Sequence, residues 1–287
     1  METVVHLLYY SMYKPDYQTT AGERPHRKEN LMKILVIGDV TDQNAAAYLA
    51  KNLWRIRREK GIDFVAVNAE NAGFISGPDP ETALALLDGG ADVLTGGNHT
   101  LHKKGLFSLL DSDRRLVRPV NYPPEAPGAG YTILPVCGYR LLVINAVGRV
   151  GMEPADCPFR AVDAVLAREE GNYDLSMLDF HAEASGEKMA LALYLDGRVN
   201  IVYGTHTHVP TADEQILPRG TGYITDIGYT GVKDSILGID PTAVIERFRT
   251  HLPIPYRPSE GEIRAEGAIF TLESGEGRVR AVERVTF

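Results

Sequence analysis

Polar residues of the types that bind metal ions follow apolar, strand-like runs in this chain. The runs KILVIGDV, DFVAVNAEN, DVLTGGNHT, LSMLDFH and VNIVYGTHTH each end in such residues. In an open α/β sheet, ligands collect outside the carboxyl ends of the strands. Loops prefer Gly, Pro, Ser and freely solvated charges, so the pattern predicts a metal site. The candidate residues are Asp39, Glu70, Asn71, Asn98, His99, His181, His206 and His208.

The side-chain types indicate which metals this site would hold. Hard oxygen donors combined with imidazoles suit Mn, Fe or Zn better than Ca or Mg. Seven of the candidates, all except His99, exceed the three or four ligands of a mononuclear catalytic site. Two ions ~3.5–4 Å apart that share a carboxylate would use all seven. His206 and His208 should point to one side, because residues i and i+2 of a strand share a face.

Composition and charge exclude several classes of protein. The chain has 287 residues with 44% hydrophobic content, which suits one large α/β domain or two small ones. Its 30 basic and 38 acidic residues give a net charge of -8, so we expect no attraction to long nucleic acid or to an anionic membrane. The chain has only two cysteines, as is usual in a reducing compartment. It contains neither an apolar run of about eighteen residues nor a signal-peptide pattern. We therefore expect a cytoplasmic protein.

The N-terminal stretch differs from the rest of the sequence. Residues 14–30 are polar and aperiodic, and the strand pattern begins abruptly at Met32. We therefore expect residues 1–31 to be a disordered or non-native extension, with Met32 as a candidate native start. Residues 32–287 should form a single domain.

From residue 33 onward, strand and helix signals alternate, which is typical of an α/β protein. Helical periodicity marks 44–61, and Pro80 and Gly89 bound a shorter helix. YTILPV and YRLLVINAV, separated by Cys137 and Gly138, predict a hairpin. The pattern indicates two sheets packed face to face with helices outside. The Pro/Gly-rich segment RPVNYPPEAPGAG should cross the surface near the third strand end as a wall or lid rather than as a linker.

Each candidate residue also has a purely structural interpretation. Asp39 could cap a helix, Asn98 could be a turn residue, and Asn71 could occupy a left-handed loop position. His206 and His208 could be a hydrogen-bonded pair at a sheet end. An HxH motif also occurs in metallo-β-lactamase-like and amidohydrolase sites. The first kind of site would have Asp-His after the motif, where Val209 and Pro210 stand. The second kind has the motif after the first strand rather than near residue 206. The ordered occurrence of all the candidates favours the metal site.

The order D…(EN)…(NH)…H…(HxH) resembles the calcineurin-like metallophosphoesterases. Within them the chain is most similar to the YmdB-like family of bacterial cyclic-nucleotide phosphodiesterases, through GDV, NAEN, GGNHT, RPVNYPP, DFHAEASGEKMALALYLDGRV and GTHTHVPTADEQILPRGTGYITDIGYTG. The resemblance runs from about Met32 to the C-terminus. It implies a four-layer α/β/β/α sandwich and two ions, with Fe or Mn favoured and Zn compatible.

The resemblance also implies a role for each residue. One ion would be held by Asp39, Glu70, Asn71 and His208, and the other by Glu70, Asn98, His181 and His206, so that Glu70 bridges. His99 would not be a ligand but the general acid that protonates the leaving alkoxide, a contribution of typically ~10²–10⁴-fold. A hydroxide that bridges the two ions would attack phosphorus from the opposite side.

Two segments depart from the family pattern. Similar proteins usually continue the first motif as GDVVG with a basic residue after it, whereas residues 41–44 here read TDQN. They also tend to have an aromatic residue and Asp after NHT, where Leu101 and His102 stand. We expect these departures to affect substrate preference and turnover rather than metal binding.

We therefore expect a dinuclear metal-dependent phosphodiesterase of small phosphodiesters. The resemblance implies 2′,3′- or 3′,5′-cyclic nucleotides as substrates. One alternative is a metal-binding regulatory protein linked to RNA metabolism, with slow or vestigial hydrolysis. Another is a phosphomonoesterase or nuclease on the same centre. A homo-oligomer is compatible with the sequence, and the acidic charge counts against long nucleic acid as substrate.

Overall fold

The first predicted strand lies in the middle of one of two β-sheets. The computed structural model describes residues 31–287. β1 covers Leu31–Ile37 and β2 covers Asp39–Val40, so the run KILVIGDV forms two strands separated at Gly38. The predicted extension of residues 1–31 lies outside the described residues, apart from Leu31, which belongs to β1.

The first sheet has eight strands in the described part of the chain. Besides β1 and β2 they are β3 (Phe64–Asn68), β4 (Val93–Thr95), β5 (Leu116–Val117), β12 (Tyr229–Val232), β13 (Ile263–Glu273) and β14 (Val279–Thr286). Their order is β2–β12–β13–β1–β3–β4–β5, and β14 pairs with β13. β1, β3, β4 and β5 run parallel, as their buried apolar sequences indicate.

The second sheet has six strands within residues 31–287. They are β6 (Tyr131–Val136), β7 (Tyr139–Val147), β8 (Leu175–His181), β9 (Ile201–Thr205), β10 (Gln215–Ile216) and β11 (Gly222–Ile224). Their order is β10–β11–β9–β8–β7–β6, with β7, β8, β9 and β11 parallel. The predicted hairpin is confirmed: β6 and β7 are joined at Cys137 and Gly138, which both have positive φ.

Helices cover the outer faces of both sheets. They are α1 (Gln43–Lys60), α2 (Pro80–Asp88), α3 (Phe107–Ser112), α4 (Pro158–Arg168), α5 (Ser185–Leu195) and α6 (Pro241–Thr250), with a 3₁₀ turn at Lys104–Leu106. α1 ends at Gly61 in the left-handed conformation, which frees the chain to turn towards β3. Of the helices in the described residues, none combines the length and apolar character needed to cross a membrane.

Three buried apolar clusters separate four layers. The first lies between α1, α2 and α3 and the outer face of the first sheet, with Leu49 and Val65 among its members. The second fills the space between the sheets, where Ile34 and Met177 contribute. The third joins the second sheet to α4 and α5. The predicted four-layer α/β/β/α sandwich is therefore confirmed.

This layering brings the carboxyl ends of the strands in both sheets together. Asn68, the last residue of β3, donates a hydrogen bond of 2.9 Å from its Nδ2 to Asp179 in β8. Because the parallel strands of each sheet end at one edge, all the loops that follow them open into one region. The fold thus places the predicted site residues near one another.

The third predicted strand is shorter than DVLTGGNHT indicated. β4 ends at Thr95, and residues 98–100 form a turn. The hydroxyl of Thr100 accepts a hydrogen bond from the backbone of Gly97 and donates one back to its carbonyl, both at 2.8 Å. This local closure ends the strand and leaves Asn98 and His99 free to face the neighbouring loops.

The Pro/Gly-rich segment has no helix or strand at residues 118–130, as predicted. Its turns are held from inside by the buried side chain of Arg118, which donates to the carbonyls of Pro119, Pro123, Ala126 and Pro127. Five guanidinium donors in one planar group can satisfy several backbone carbonyls at once. The segment is therefore an ordered wall rather than a linker.

Replacing Gly38 by alanine should destabilise the fold. The added Cβ would lie 1.9 Å from the carbonyl oxygen of Gly228, a backbone atom that cannot rotate away. Overpacking of this kind typically lowers the free energy of unfolding by about 1–3 kcal/mol. Urea denaturation would measure the change, and wild-type stability would contradict the contact.

Gly186→Ala is the matched control. A Cβ at Gly186, in α5, would meet no described atom within 4 Å. Alanine favours a helix over glycine by up to ~1 kcal/mol, so this variant should be as stable as wild type or more so.

Candidate metal centre

All the candidate residues lie in one cluster where the two sheets meet. Asp39 begins β2, and Glu70 and Asn71 follow β3 by two and three residues. His181 ends β8 and is completely buried, as are the carboxylates of Asp39 and Glu70. The remaining members of the cluster are Asn98, His99, His206 and His208.

Donor atoms converge on Nε2 of His181. Oδ1 of Asn98 lies 3.0 Å from it, Nδ1 of His206 3.1 Å and Oε1 of Glu70 3.5 Å. Gly97 allows this approach, because a Cβ there would lie 2.4 Å from the imidazole of His181. These are the four residues predicted to share one ion.

The second predicted group gathers around His208. Its Nε2 lies 3.6 Å from Oδ1 of Asp39 and 3.3 Å from Nδ2 of Asn71. The other oxygen of Asp39 accepts a hydrogen bond of 3.1 Å from the backbone nitrogen of His206. The aromatic ring of Tyr229 stacks on His208 at 5.9 Å between centroids, which fixes the plane of the imidazole.

His99 borders the cluster rather than lying inside it. Its backbone N–H donates to both carboxylate oxygens of Glu70, at 2.9 and 3.0 Å. Its Nδ1 lies 2.8 Å from Oδ1 of Asn71, an atom that can only accept, so Nδ1 carries a proton. The side chain is 21% exposed and its ring contacts that of His102. Nε2 is therefore the nitrogen left for a substrate.

The His206 to His208 segment is not an extension of the strand, which corrects one prediction. β9 ends at Thr205, and His206 and His208 have φ values of 97° and 60°. The alternation of side chains along a strand therefore does not apply to them. A left-handed conformation costs roughly 1–2 kcal/mol for a residue with a Cβ and persists only where the surroundings hold it.

A buried ion pair holds this left-handed segment. Oδ2 of Asp226 accepts from the backbone and the hydroxyl of Thr207, at 3.2 and 2.7 Å. The same oxygen accepts from Nζ of Lys188, which reaches it from α5 at 2.8 Å and is fully buried. Thr207 lies between the two histidines, so the pair fixes both of them.

Opposite charges set the ionisation of the cluster. Burial alone would raise the pKa of Glu70, but the charge and hydrogen bonds of His181 and His99 lower it to about 2. Burial alone would lower the pKa of His181, but Glu70 and Asp39 raise it to about 9. Burial opposes ionisation of Asp39 too, yet His208 and His181 hold its pKa well below its usual range. Both carboxylates are thus ionised, whereas His181 must lose a proton to bind a metal.

His206 differs from His181 in its charge. Burial and the positive charge of His181 lower the pKa of His206 to about 4. Its Nδ1 faces the cluster, and its Nε2 lies 3.1 Å from Oε2 of Glu183. A carboxylate on the outer nitrogen of a histidine fixes the ring orientation and makes the inner nitrogen a better ligand.

The geometry fits transition metal ions. Metal–ligand distances of about 2.0–2.2 Å place two ligands of one ion ~3–3.5 Å apart, which matches the contacts around His181 Nε2 at 3.0–3.5 Å. Oδ1 of Asp39 is buried and has no hydrogen-bond partner among residues 31–287. Such an oxygen is costly unless a cation binds it. In that part of the chain the His, Cys, Asp and Glu side chains by themselves form no group of three that could hold an ion.

Asp39 does not cap a helix and Asn71 is not left-handed, so these two structural interpretations are wrong. The residue that caps α1 is Asp42, whose side chain accepts from the backbone of Ala45, and not Asp39. Asn71 has a negative φ, whereas Phe74 and Ile75 in the same loop are left-handed. Thr41 and Asp42 are both buried, so the altered loop uses its carboxylate in the helix cap.

Tyr122 places the Pro/Gly-rich wall beside the cluster. Burial, and then the negative charge of Glu70, raise the pKa of its phenol. The wall is tied to the end of β7, since Asn121 donates to the carbonyl of Val147 and accepts from its nitrogen, both at 2.9 Å. The segment thus bounds one side of the site.

Sequence reasoning missed three buried charged residues that support the cluster. Asp179 and Asp226 each interrupt an apolar run, LSMLDFH and GYITDIGYTG, and this is the signal that could have found them. Lys188 precedes Leu191 and Leu195 at helical spacing on the buried face of α5. A charge in an apolar run or on an apolar face is rare unless it is paired.

Comparisons with known proteins match this chain to one family model, to a named relative and to solved structures. Residues 35–285 match the family model described as YmdB-like protein. The chain is 40% identical over 254 residues to the 2′,3′-cyclic-nucleotide 2′-phosphodiesterase of Bacillus subtilis (strain 168), which covers 88% of this chain and 96% of that protein. A crystal structure of a hypothetical protein from Thermus thermophilus has a TM-score of 0.83 and 41% identity, and covers 89% of this chain and 99% of that one. That of a novel phosphatase from Mycoplasma pneumoniae has a TM-score of 0.83 and 28% identity, with coverages of 90% and 94%.

Glu70→Ala should reduce the metal content of the purified protein. Glu70 is the carboxylate predicted to bridge the ions, and it is fully buried in the cluster. We expect about two ions per chain in wild type and one or none in the variant, measured by elemental analysis after equilibration with Mn²⁺. Asp92→Asn is the control, because Asp92 precedes β4 at the end opposite Asn98. Two ions in the Glu70→Ala protein would contradict the bridging role.

Proposed function

The chain belongs to the YmdB-like family, and from that premise we propose that it is a metal-dependent phosphodiesterase that hydrolyses small phosphodiesters, 2′,3′-cyclic nucleotides above all. The four-layer sandwich is that of the calcineurin-like metallophosphoesterases. The observation that carries the proposal is the convergence of donor atoms around His181 and His208, with His99 beside them. The activity class agrees with the names of the relatives.

Seven residues would hold two ions in this proposal. Asn98, His181 and His206 would bind one, Asp39, Asn71 and His208 the other, and Glu70 both. Bound ions of this kind supply an activated water at neutral pH and screen the charge of a phosphoryl group. The protein contributes the buried carboxylates, whose ionisation is secured by the neighbouring imidazoles.

His99 would deliver the proton to the leaving group. Its Nδ1 is held by Asn71 and Glu70, so the ring cannot turn freely. The partly exposed Nε2 can then carry a proton to the ribose oxygen as the phosphorus–oxygen bond breaks. A positioned acid of this kind typically contributes ~10²–10⁴-fold.

The proposed substrate is small because the surface does not favour a long polyanion. The net charge of -8 repels nucleic acid in general. The Pro/Gly-rich wall borders the site, because Asn121 ties it to the end of β7, which pairs with β8 beside His181. The preference for a 2′,3′-ring over a 3′,5′-ring rests on the name of the Bacillus subtilis relative.

A phosphomonoesterase on the same centre is the second candidate. It is favoured by the structural similarity to a protein described as a novel phosphatase. The two candidates differ in whether a second ester must remain on phosphorus, so a substrate panel separates them.

Hydrolysis should depend on metal and should be fastest with a cyclic diester. Treatment with a chelator should abolish activity, and Mn²⁺ or Fe²⁺ should restore it. The panel compares 2′,3′- and 3′,5′-cyclic nucleotides, a linear diester and a monoester at equal concentration. Chromatography measures the ring-opened nucleotide from the cyclic diesters, the alcohol from the linear diester and the phosphate from the monoester. Chelator-resistant hydrolysis would exclude the metal mechanism, and a monoester preference would replace the diesterase by the second candidate.

His99→Ala should keep the metals and lose most turnover. Its imidazole touches Glu70 and Asn71 but is proposed to act on the leaving group, so we expect kcat to fall by ~10²–10⁴-fold while metal content is unchanged. His251→Asn is the control, because His251 ends α6 in a left-handed conformation that asparagine tolerates. Equal loss of metal and activity in His99→Ala would mean that His99 is a ligand.

A further inference from the structure

A buried carboxylate lies directly behind the candidate metal centre. Asp179 is fully buried in β8, two residues before His181. Neutral donors hydrogen-bond to its side chain, namely the hydroxyls of Thr95 and Thr205 and the amide of Asn68. Burying a carboxylate among neutral groups costs more than burying an apolar residue of similar volume. Packing alone therefore does not account for an acid at this position.

Asp179 is connected to His181 through one hydroxyl. Oγ1 of Thr205 donates a hydrogen bond of 2.7 Å to Oδ1 of Asp179. The same Oγ1 lies 3.0 Å from Nδ1 of His181. A threonine hydroxyl has a single proton, and here that proton is directed at the carboxylate. The hydroxyl can therefore only accept from His181, which requires a proton on Nδ1.

The direction of this chain decides which nitrogen faces the cluster with a lone pair. With a proton on Nδ1, a neutral His181 has its lone pair on Nε2, the atom on which Asn98, His206 and Glu70 converge. The partner of the outer nitrogen sets the tautomer of a metal-binding histidine. Asp179 would thus act on His181 through the hydroxyl of Thr205, which lies between them.

The second oxygen of Asp179 reaches another part of the centre. Oδ2 accepts from Thr95 Oγ1 at 2.5 Å and from Asn68 Nδ2 at 2.9 Å. Oδ1 of Asn68 in turn accepts from the backbone nitrogen of Glu70 at 3.0 Å. One carboxylate therefore connects β3, β4, β8 and β9 behind two of the proposed ligands.

We propose that Asp179 is a positioning residue that, through Thr205, fixes His181 as the tautomer that presents Nε2 to a metal ion. The inference rests on the proposed function, because it assumes that His181 binds an ion. It assigns a role to a residue that touches neither substrate nor metal, and it makes the hydroxyl of Thr205 as important as the carboxylate.

Asp179→Asn tests the proposal with little change of shape. The new amide can donate to Thr205, which lets the hydroxyl turn its proton towards Nδ1 of His181 and favours the wrong tautomer. We expect one of the two Mn²⁺ ions to bind ~10–100-fold more weakly, the usual effect of losing such a partner. Binding is measured by equilibrium dialysis against Mn²⁺, and activity should recover when Mn²⁺ is raised above the weakened dissociation constant.

Substitutions of Thr205 test the same link independently. Thr205→Val removes the hydroxyl at nearly constant volume and should weaken the binding of the same Mn²⁺ ion. Thr205→Ser keeps the hydroxyl and should bind both ions as wild type does. This pair decides the question even where Asp179→Asn fails to fold, because the two variants differ in the hydroxyl that joins Asp179 to His181.

Asp196→Asn is the matched control. Asp196 is also a buried carboxylate that accepts hydrogen bonds from neutral groups, the backbone nitrogens of Arg219 and Thr221, but it lies outside the cluster. Its variant should bind two ions with wild-type affinity. Wild-type affinity in both Asp179→Asn and Thr205→Val would overturn the inference. Failure of wild type itself to bind Mn²⁺ would instead overturn the proposed function.

Discussion

The structure depends on two carboxylates that are withdrawn from water at the meeting point of two sheets. Asp39 and Glu70 are fully buried, and the groups that balance their charge are imidazoles of the same cluster. An isolated buried carboxylate would cost several kcal/mol or take up a proton. The cluster keeps both acids ionised only because histidines from the other sheet reach them. This requirement ties the two sheets together at their carboxyl ends and makes the same place suitable for cations.

The shape of the loops follows from that requirement. His206 and His208 adopt left-handed conformations that a strand would not give them, and the buried pair of Lys188 and Asp226 holds them there. Such a pair is a poor source of stability compared with apolar packing, but breaking it is costly, so it specifies one geometry. Packing of the long apolar strands stabilises the fold, and the buried charged residues fix the positions of the histidines.

Behind His181 and Glu70, neutral hydroxyls and an amide surround a further carboxylate. Thr95, Thr205 and Asn68 surround Asp179, and each also lies at or near the end of a strand that carries a candidate ligand. A hydroxyl relays the direction of a proton without adding a charge to compete with a cation. On the exposed side of the cluster a charged group takes this position instead, because the carboxylate of Glu183 lies against the outer nitrogen of His206.

The amino-acid sequence by itself determined the alternation of strands and helices, the four layers, and the set of residues that meet in the cluster. Periodicity and the order of polar residues at strand ends contain that information, because burial of one face is a local property of a segment. Only the tertiary structure decided how the side chains of the candidate ligands are oriented. The left-handed turn at His206 and the contact of Asp179 with Asn68, 111 residues away, depend on neighbours that no local pattern identifies. The physical reason is that a buried polar side chain is placed by whichever distant partner satisfies it, and that partner exists only once the sheets have packed.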